Sequence, residues 1–292
     1  MRLERQLSGR SALITGASQG LGRAIAEAFV AAGASVFICG RDANLLEGVR
    51  AGLALHCGTD QSVGARVTDV TDEEDVAALV DDATRLLPKL SILINNAGVQ
   101  GPTGAVDEVD WKEWVRTIEI NLLGSVLVAR AVIPQLRRSG GGKIVQLSGG
   151  GATAPMPGLS AYAASKAGVV RFAETLAREL LSDGIDVNAL APGALNTRML
   201  EQVLAAGPER VGTAYHARAV EQAQRGGVPL DRPAALAVWL ASSASDGITG
   251  KLISAVWDPW EELSDHLADL DSDVYTLRRI IPVDRGMGWG DR

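Results

Sequence analysis

The stretch Thr15-Gly16-Ala17-Ser18-Gln19-Gly20-Leu21-Gly22 decides how the rest of the chain is read. It follows a short apolar run at 11–15 with the length of a buried strand, and it opens directly into a helical pattern ending near Ala32. Glycines at such a junction let the backbone turn tightly and approach a ligand closely. The helix start offers unpaired N–H groups to a pyrophosphate. The spacing is Gly-x-x-x-Gly-x-Gly, which is neither Gly-x-Gly-x-x-Gly nor a P-loop ending in Lys-Ser/Thr. Strand, glycine turn and helix in that order predict a dinucleotide site.

Outward from that turn, apolar or β-branched runs at 35–39, 65–68, 91–94, 143–147, 186–190 and 251–254 alternate with helical patterns. Seven strands of this kind, separated by helices, predict a parallel sheet buried on both faces, a doubly wound α/β fold. The chain of 292 residues, 47% hydrophobic and 22% charged, suits one large domain and excludes disorder. The segment 196–232 breaks the rhythm and is longer than a βα connection needs, so a substrate lid is expected over about 196–230.

Cys39 and Cys57 cannot staple a fold and are expected as reduced thiols in a cytoplasmic protein. His56, His216 and His266 lack metal-ligand spacing, so no metal is expected. The first residues lack the apolar core of a signal peptide, and no run approaches the length of a membrane span. The net charge of −7 argues against nucleic acid as a partner. From Asp258 onward there are nine acids and four arginines, so most of the excess lies at the end. The expected division is a domain at 1–257 and an acidic extension at 258–292.

The second strand ends in Cys39-Gly40-Arg41-Asp42. A dinucleotide fold often places an acid here for the ribose diol, or an arginine for a 2′-phosphate. Gly40 stands where an acid would repel phosphate and Arg41 follows, which favours NADP(H) over NAD(H). Asp42 serving NAD is the alternative.

Ser160-Ala-Tyr162-Ala-Ala-Ser165-Lys166 begins a helix, with Ser160 as its expected N-cap. Tyr162 and Lys166 are four apart and share a face, where an ammonium lowers the phenol's pKa. Ser148 ends the fifth strand at the carboxyl edge of the sheet, where open α/β folds bind ligands. Asn121 lies within a long helix, an unfavourable place for a side chain that competes with the backbone.

Together, Thr15-Gly-x-x-x-Gly-x-Gly22, Asn95-Asn-Ala-Gly98, Asn121, Ser148, Tyr162-x-x-x-Lys166 and Pro192-Gly193 resemble the short-chain dehydrogenase/reductase family over residues 8–254. The resemblance implies a Rossmann-type fold and hydride transfer between NAD(P)(H) and a carbonyl or secondary alcohol. It makes Tyr162 the acid/base, Ser148 a holder of the substrate oxygen, Lys166 a ribose ligand that lowers the tyrosine's pKa, and Asn121 the support of a proton-relaying water. It puts Gly16, Ser18, Gly20, Leu21, Gly22 and Arg41 around the cofactor's phosphates and Asp69-Val70 against adenine. Asn96 falls against ribose, Pro192-Gly193 beside the cofactor and Thr197 on the nicotinamide carboxamide.

The implied partners are a small-molecule substrate and further copies of the chain, as a homodimer or homotetramer. A cofactor-sensing protein without turnover and a sugar-nucleotide epimerase or dehydratase are the alternatives. The chain departs from the family in running 32 residues past Trp260. That puts the usual oligomer contacts of this edge in doubt: either the tail wraps on its own subunit, or Trp260, Trp289 or Arg278-Arg279 helps close a pocket. The three glycines after Ser148 either widen backbone access beside it or form a flexible loop.

Overall fold

The computed structural model describes residues 6–196 and 198–289. Seven strands, β1 (Ser11–Ile14), β2 (Ser35–Gly40), β3 (Val63–Val67), β4 (Leu90–Asn95), β5 (Gly142–Leu147), β6 (Ile185–Ala191) and β7 (Leu252–Ser254), form one sheet. All neighbours run parallel, in the order β3-β2-β1-β4-β5-β6-β7. The helices are α1 (Gly20–Ala31), α2 (Ala43–Ala54), α3 (Glu73–Leu86), α4 (Trp111–Ile118), α5 (Gly124–Arg138), α6 (Ser160–Glu179), α7 (Arg198–Ala206), α8 (Pro208–Val211), α9 (Thr213–Arg225) and α10 (Asp231–Ala241).

Strand side chains alternate between two apolar layers, as a period of two requires. Ala12, Ile14, Val36, Ile38, Ile92 and Ile94 meet α1, α2 and α10 on one face. Leu13, Phe37, Leu93, Ile144 and Val187 meet α3, α5 and α6 on the other. Both faces are covered, which is why the strands are apolar throughout. The strand order reverses between β1 and β4, and the crevice this leaves at the carboxyl edge is the expected ligand position.

Helix α4 runs into α5 through a single π turn, Glu119–Leu123. The continuous span Trp111–Arg138 contains an 18-residue stretch of mean hydropathy 1.5. By length and composition that suffices to cross a membrane, a correction to the sequence reading. Half of the stretch is buried, however, and Val128, Ala129, Val132 and Leu136 pack into the sheet's core. This is the position of a core helix.

Beyond β7 the chain forms a 3₁₀ segment, Trp260–His266, and a short helix, α11 (Leu267–Leu270). Trp260 is fully buried, 5.8 Å from the ring of Trp239 and 4.8 Å beneath the Arg232 guanidinium. Leu263 and Leu270 enter the same core. Farther on, the Tyr275 carbonyl accepts from Leu252 N (2.8 Å), and Lys251 Nζ donates to the carbonyls of Ser272 (2.8 Å) and Val274 (3.0 Å). Leu277 N donates to Glu174 Oε1 of α6 (2.6 Å).

Trp260 therefore belongs to the interior, not to a pocket wall. Arg278 is paired with Asp273 (2.7 Å) and Asp284 (2.8 Å), while Trp289 is exposed. Emptying the Trp260 site removes a large buried ring, a change that costs about 3–5 kcal/mol in protein cores. Trp260→Ala is expected to lower Tm by roughly 10 °C while leaving the Michaelis constants nearly unchanged. An unaltered melting curve would place this ring outside the core.

Candidate active site

The glycine turn rests on the end of β4. Gly16 has φ +63°, and a Cβ there would stand 2.7 Å from Ala97 Cα, so the turn closes only around glycine. A Cβ on Gly22 would overlap the Gly16 carbonyl and the Asn96 amide. Asn96 Nδ2 donates to the carbonyls of Thr15 (3.0 Å) and Gly16 (2.9 Å), and Thr15 Oγ1 accepts from the backbone of Asn96 and Ala97 (3.0 Å each). Asn96 thus braces the turn that would hold a ribose-pyrophosphate. Bare backbone at the start of α1, with Leu21 buried behind it, fits such a group.

The turn is also tied to β2, since Ala17 N donates to the Cys39 carbonyl (2.9 Å). Ser18 fills the space beside Gly40: a Cβ at Gly40 would lie 3.0 Å from Ser18 Oγ. Arg41 is exposed and has no ion-pair or hydrogen-bond partner among the described residues. Asp42 Oδ1 caps α2, accepting from Asn44 N and Leu45 N (3.0 Å each).

Asp69 Oδ1 accepts from Thr71 N (3.0 Å) and Oγ1 (2.7 Å), and Oδ2 pairs with Arg116 (2.6 Å). Burial raises its pKa, but the bonds from Thr71 and Arg116 outweigh this and hold the carboxyl below its ordinary range. Val70 is buried against α5 at Gly124. Pro192 and Gly193 follow β6, with Gly193 packed under Val256 and Val228. Thr197 lies outside the described residues.

The catalytic candidates converge at the carboxyl ends of β4 and β5. Ser148 Oγ is buried and has no hydrogen-bond partner among the described residues. Gly149 follows it, and the Tyr162 hydroxyl lies where a side chain on Gly149 would have to go. Gly151 is equally crowded, by Ala163 and Met156. Two of the three glycines are therefore required by close packing. Lys166 Nζ donates to the Leu147 carbonyl (2.7 Å) and stands 5.9 Å from the Tyr162 ring centre.

Asn121 sits in the π turn, a distortion often found at functional sites. Its Oδ1 accepts from Val99 N (2.8 Å), and its Nδ2 donates to the Val99 carbonyl (2.9 Å) and Ser165 Oγ (3.0 Å). Ser165 Oγ in turn donates to the Tyr162 carbonyl (2.7 Å). The asparagine side chain thus locks the loop after β4 to α6. Ser165 was passed over in the sequence, although its position three residues after Tyr162 puts it on the same face. Ser160 is a correction: Leu159 occupies the cap without a side-chain bond, and Ser160 Oγ instead accepts from Trp114 Nε1 (3.0 Å). Among the described residues no cluster of metal ligands occurs, and both cysteines are free.

A family model for short chain dehydrogenases matches residues 10–207. The chain belongs to the short-chain dehydrogenase/reductase family. It is 34% identical to L-fucose dehydrogenase of Oryctolagus cuniculus over 82% of this chain and 81% of that one. It is 36% identical to 3beta-hydroxysteroid dehydrogenase 1 of Eggerthella lenta over 84% of this chain and 91% of that one. The crystal structure of levodione reductase superposes with a TM-score of 0.77 at 28% identity, covering 89% of this chain and 99% of that one.

This short-chain dehydrogenase is accordingly an NAD(P)-binding oxidoreductase acting on CH–OH groups of a small-molecule substrate. Neither a cofactor sensor nor a sugar-nucleotide epimerase finds support in these likenesses.

Burial dominates the site's electrostatics. It pushes the Tyr162 phenol up to about 12, with a further rise from the neighbouring Tyr215 phenol, a correction to the lowering expected from Lys166, and it pulls the Lys166 ammonium down to about 8. Because folding lowers the lysine's pKa, the unfolded chain binds that proton more tightly. The penalty for burying the ammonium is complete below pH 8 and disappears as pH rises toward 10.5. Lys166→Met is expected to melt above wild type at pH 7, and to lose that margin between pH 8 and 10.5. A margin independent of pH would show that Lys166 titrates normally.

Proposed function

We propose that this enzyme interconverts a secondary alcohol and its carbonyl with NADP(H), using Tyr162 as the proton donor and acceptor at the substrate oxygen. The observation that carries the reading is the pairing of a buried, unpartnered Ser148 hydroxyl with the Tyr162 phenol across the bare backbone of Gly149. A substrate oxygen reaching both hydroxyls satisfies the serine and receives two donors, which stabilise charge developing on it. Tyr162 stays protonated at neutral pH, the state needed to protonate an alkoxide. In the other direction it must take a proton, and the Lys166 cation one helical turn away favours the phenolate. Asn121 holds the loop after β4 and the catalytic helix in register while the proton moves. When bound, the nicotinamide cofactor supplies or accepts the hydride.

The preference for NADP(H) rests on the end of β2. Ser18 leaves little room for an acid at 40, and the Asp42 carboxylate is committed to capping α2. Arg41 is then the available charge, and its guanidinium suits a 2′-phosphate. Around it, Gly16, Ser18, Gly20, Leu21 and Gly22 hold the pyrophosphate, Asp69 and Val70 border adenine, and Asn96, Lys166, Pro192 and Gly193 border the nicotinamide riboside. The same reading takes 1–257 as the catalytic domain, 196–230 as its substrate lid and 258–292 as an extension, in a cytoplasmic homodimer or homotetramer.

Tyr162→Phe is expected to lower kcat by about 10²-fold or more, with NADPH affinity nearly intact, in assays following NADPH absorbance against a panel of ketones. A variant retaining a tenth of the wild-type rate would remove Tyr162 from the acid/base role. Arg41→Ala is expected to weaken NADPH binding about tenfold or more and to leave NADH binding close to wild type, as titrations of cofactor fluorescence would measure. Equal losses for both cofactors would overturn the preference.

A further inference from the structure

Helices α7, α8 and α9 close on a small apolar cluster of Val203, Val211 and Ala219, with Tyr215 packed against it. The C-terminal end of the lid is pinned to the loop after β6: Val228 N donates to the Ala194 carbonyl (2.9 Å), and Gln222 Nε2 donates to Asn196 Oδ1 (3.2 Å). Its middle lies on the entry to the catalytic helix. A Cβ on Gly158, four residues before Tyr162, would stand 2.5 Å from the Arg210 carbonyl and 3.2 Å from Val211 Cα.

Along α9, Tyr215, Ala219 and Gln222 fall at helical spacing on one face. That face is the one that holds the buried Ala219 and the Asn196 contact, so it looks inward. Tyr215 is half-buried, Arg218 lies 6.0 Å over its ring, and its hydroxyl has no hydrogen-bond partner among the described residues. Packing accounts for the ring and leaves the hydroxyl accessible, open to a ligand as well as to solvent.

We propose that the Tyr215 hydroxyl reads the substrate, hydrogen-bonding a second oxygen carried at a distance from the carbon that exchanges hydride. This rests on the alcohol–carbonyl chemistry proposed above and adds the class of substrate: a ketone or secondary alcohol bearing a further carbonyl or hydroxyl group. The phenol's influence on Tyr162 agrees with this proximity. Burial holds Tyr215 itself protonated at neutral pH, against the lowering effect of Arg218, so it is available as a donor. A pocket built to pair a polar substituent discriminates strongly against analogues that lack it, because the unpaired group stays desolvated.

The test compares wild type with Tyr215→Phe, which keeps the ring and removes only the hydroxyl. The substrates are cyclohexanone and the 1,2-, 1,3- and 1,4-cyclohexanediones, each reduced with NADPH. Wild type is expected to prefer at least one dione over cyclohexanone. The variant is expected to lose about tenfold or more of kcat/KM on that dione, mostly through KM, while cyclohexanone changes less than about twofold. NADPH affinity and Tm are expected to stay at wild-type values. Equal effects on dione and monoketone, or none on either, would overturn the role of Tyr215 and leave the alcohol–carbonyl chemistry standing. Failure of the wild type to oxidise NADPH with every ketone would instead overturn the proposed reaction, and this inference with it.

Discussion

The contact between the glycine turn and the end of β4 is the constraint on which the rest of the molecule depends. Thr15 and Asn96 exchange backbone and side-chain hydrogen bonds across it, and Gly16 admits Ala97 at a distance no side chain allows. That contact joins two strands distant in sequence at the point where the sheet changes direction. It leaves the start of α1 bare on one side of the crevice and sends the loop after β4 toward Asn121 on the other. The residues proposed to cradle the cofactor and those proposed to handle the proton are thus two sides of one junction.

Below the crevice, polar side chains are packed where a core would ordinarily be apolar. Asn121 and Ser165 are fully buried, with Lys166 and Ser148 nearly so. Such a layer is tolerable only where nearly every group is paired, and Asn121, Ser165 and Lys166 each find backbone or side-chain partners. Ser148 is the exception among these four, and the Gln146 amide, buried two residues before it on β5, is likewise without a partner among the described residues. The site holds an ammonium and a phenol under desolvation that displaces both from their ordinary acidities. Burying the ammonium costs local stability, as a site proposed for proton transfer would require.

Much of this was legible in the residues themselves. Each strand was found within two residues of its bounds, because a parallel sheet covered on both faces leaves a continuous apolar mark. That Tyr162 and Lys166 share a face of α6 and that Ser148 follows the end of β5 was legible because helical spacing and strand ends are local facts. What escaped depends on partners far away in the chain. Trp114 takes Ser160 from 46 residues off, and Arg116 takes Asp69 from 47, so neither the failed cap nor the paired carboxylate had a local sign. The π turn at Asn121 likewise reflects the loop it must meet, and Trp260, expected to help close a pocket, is held in the core by Trp239, distant in the chain.

The hydrogen bond from Leu252 to the carbonyl of Tyr275 carries a consequence for association. Tyr275 holds φ +59°, alone among the described non-glycine residues in having a positive value, and its peptide occupies an edge that would otherwise offer β7 to another chain. Sheet growth is thereby terminated from within on that side, and β3 is left as the edge at which strand addition, whether native assembly or amyloid-like stacking, could begin.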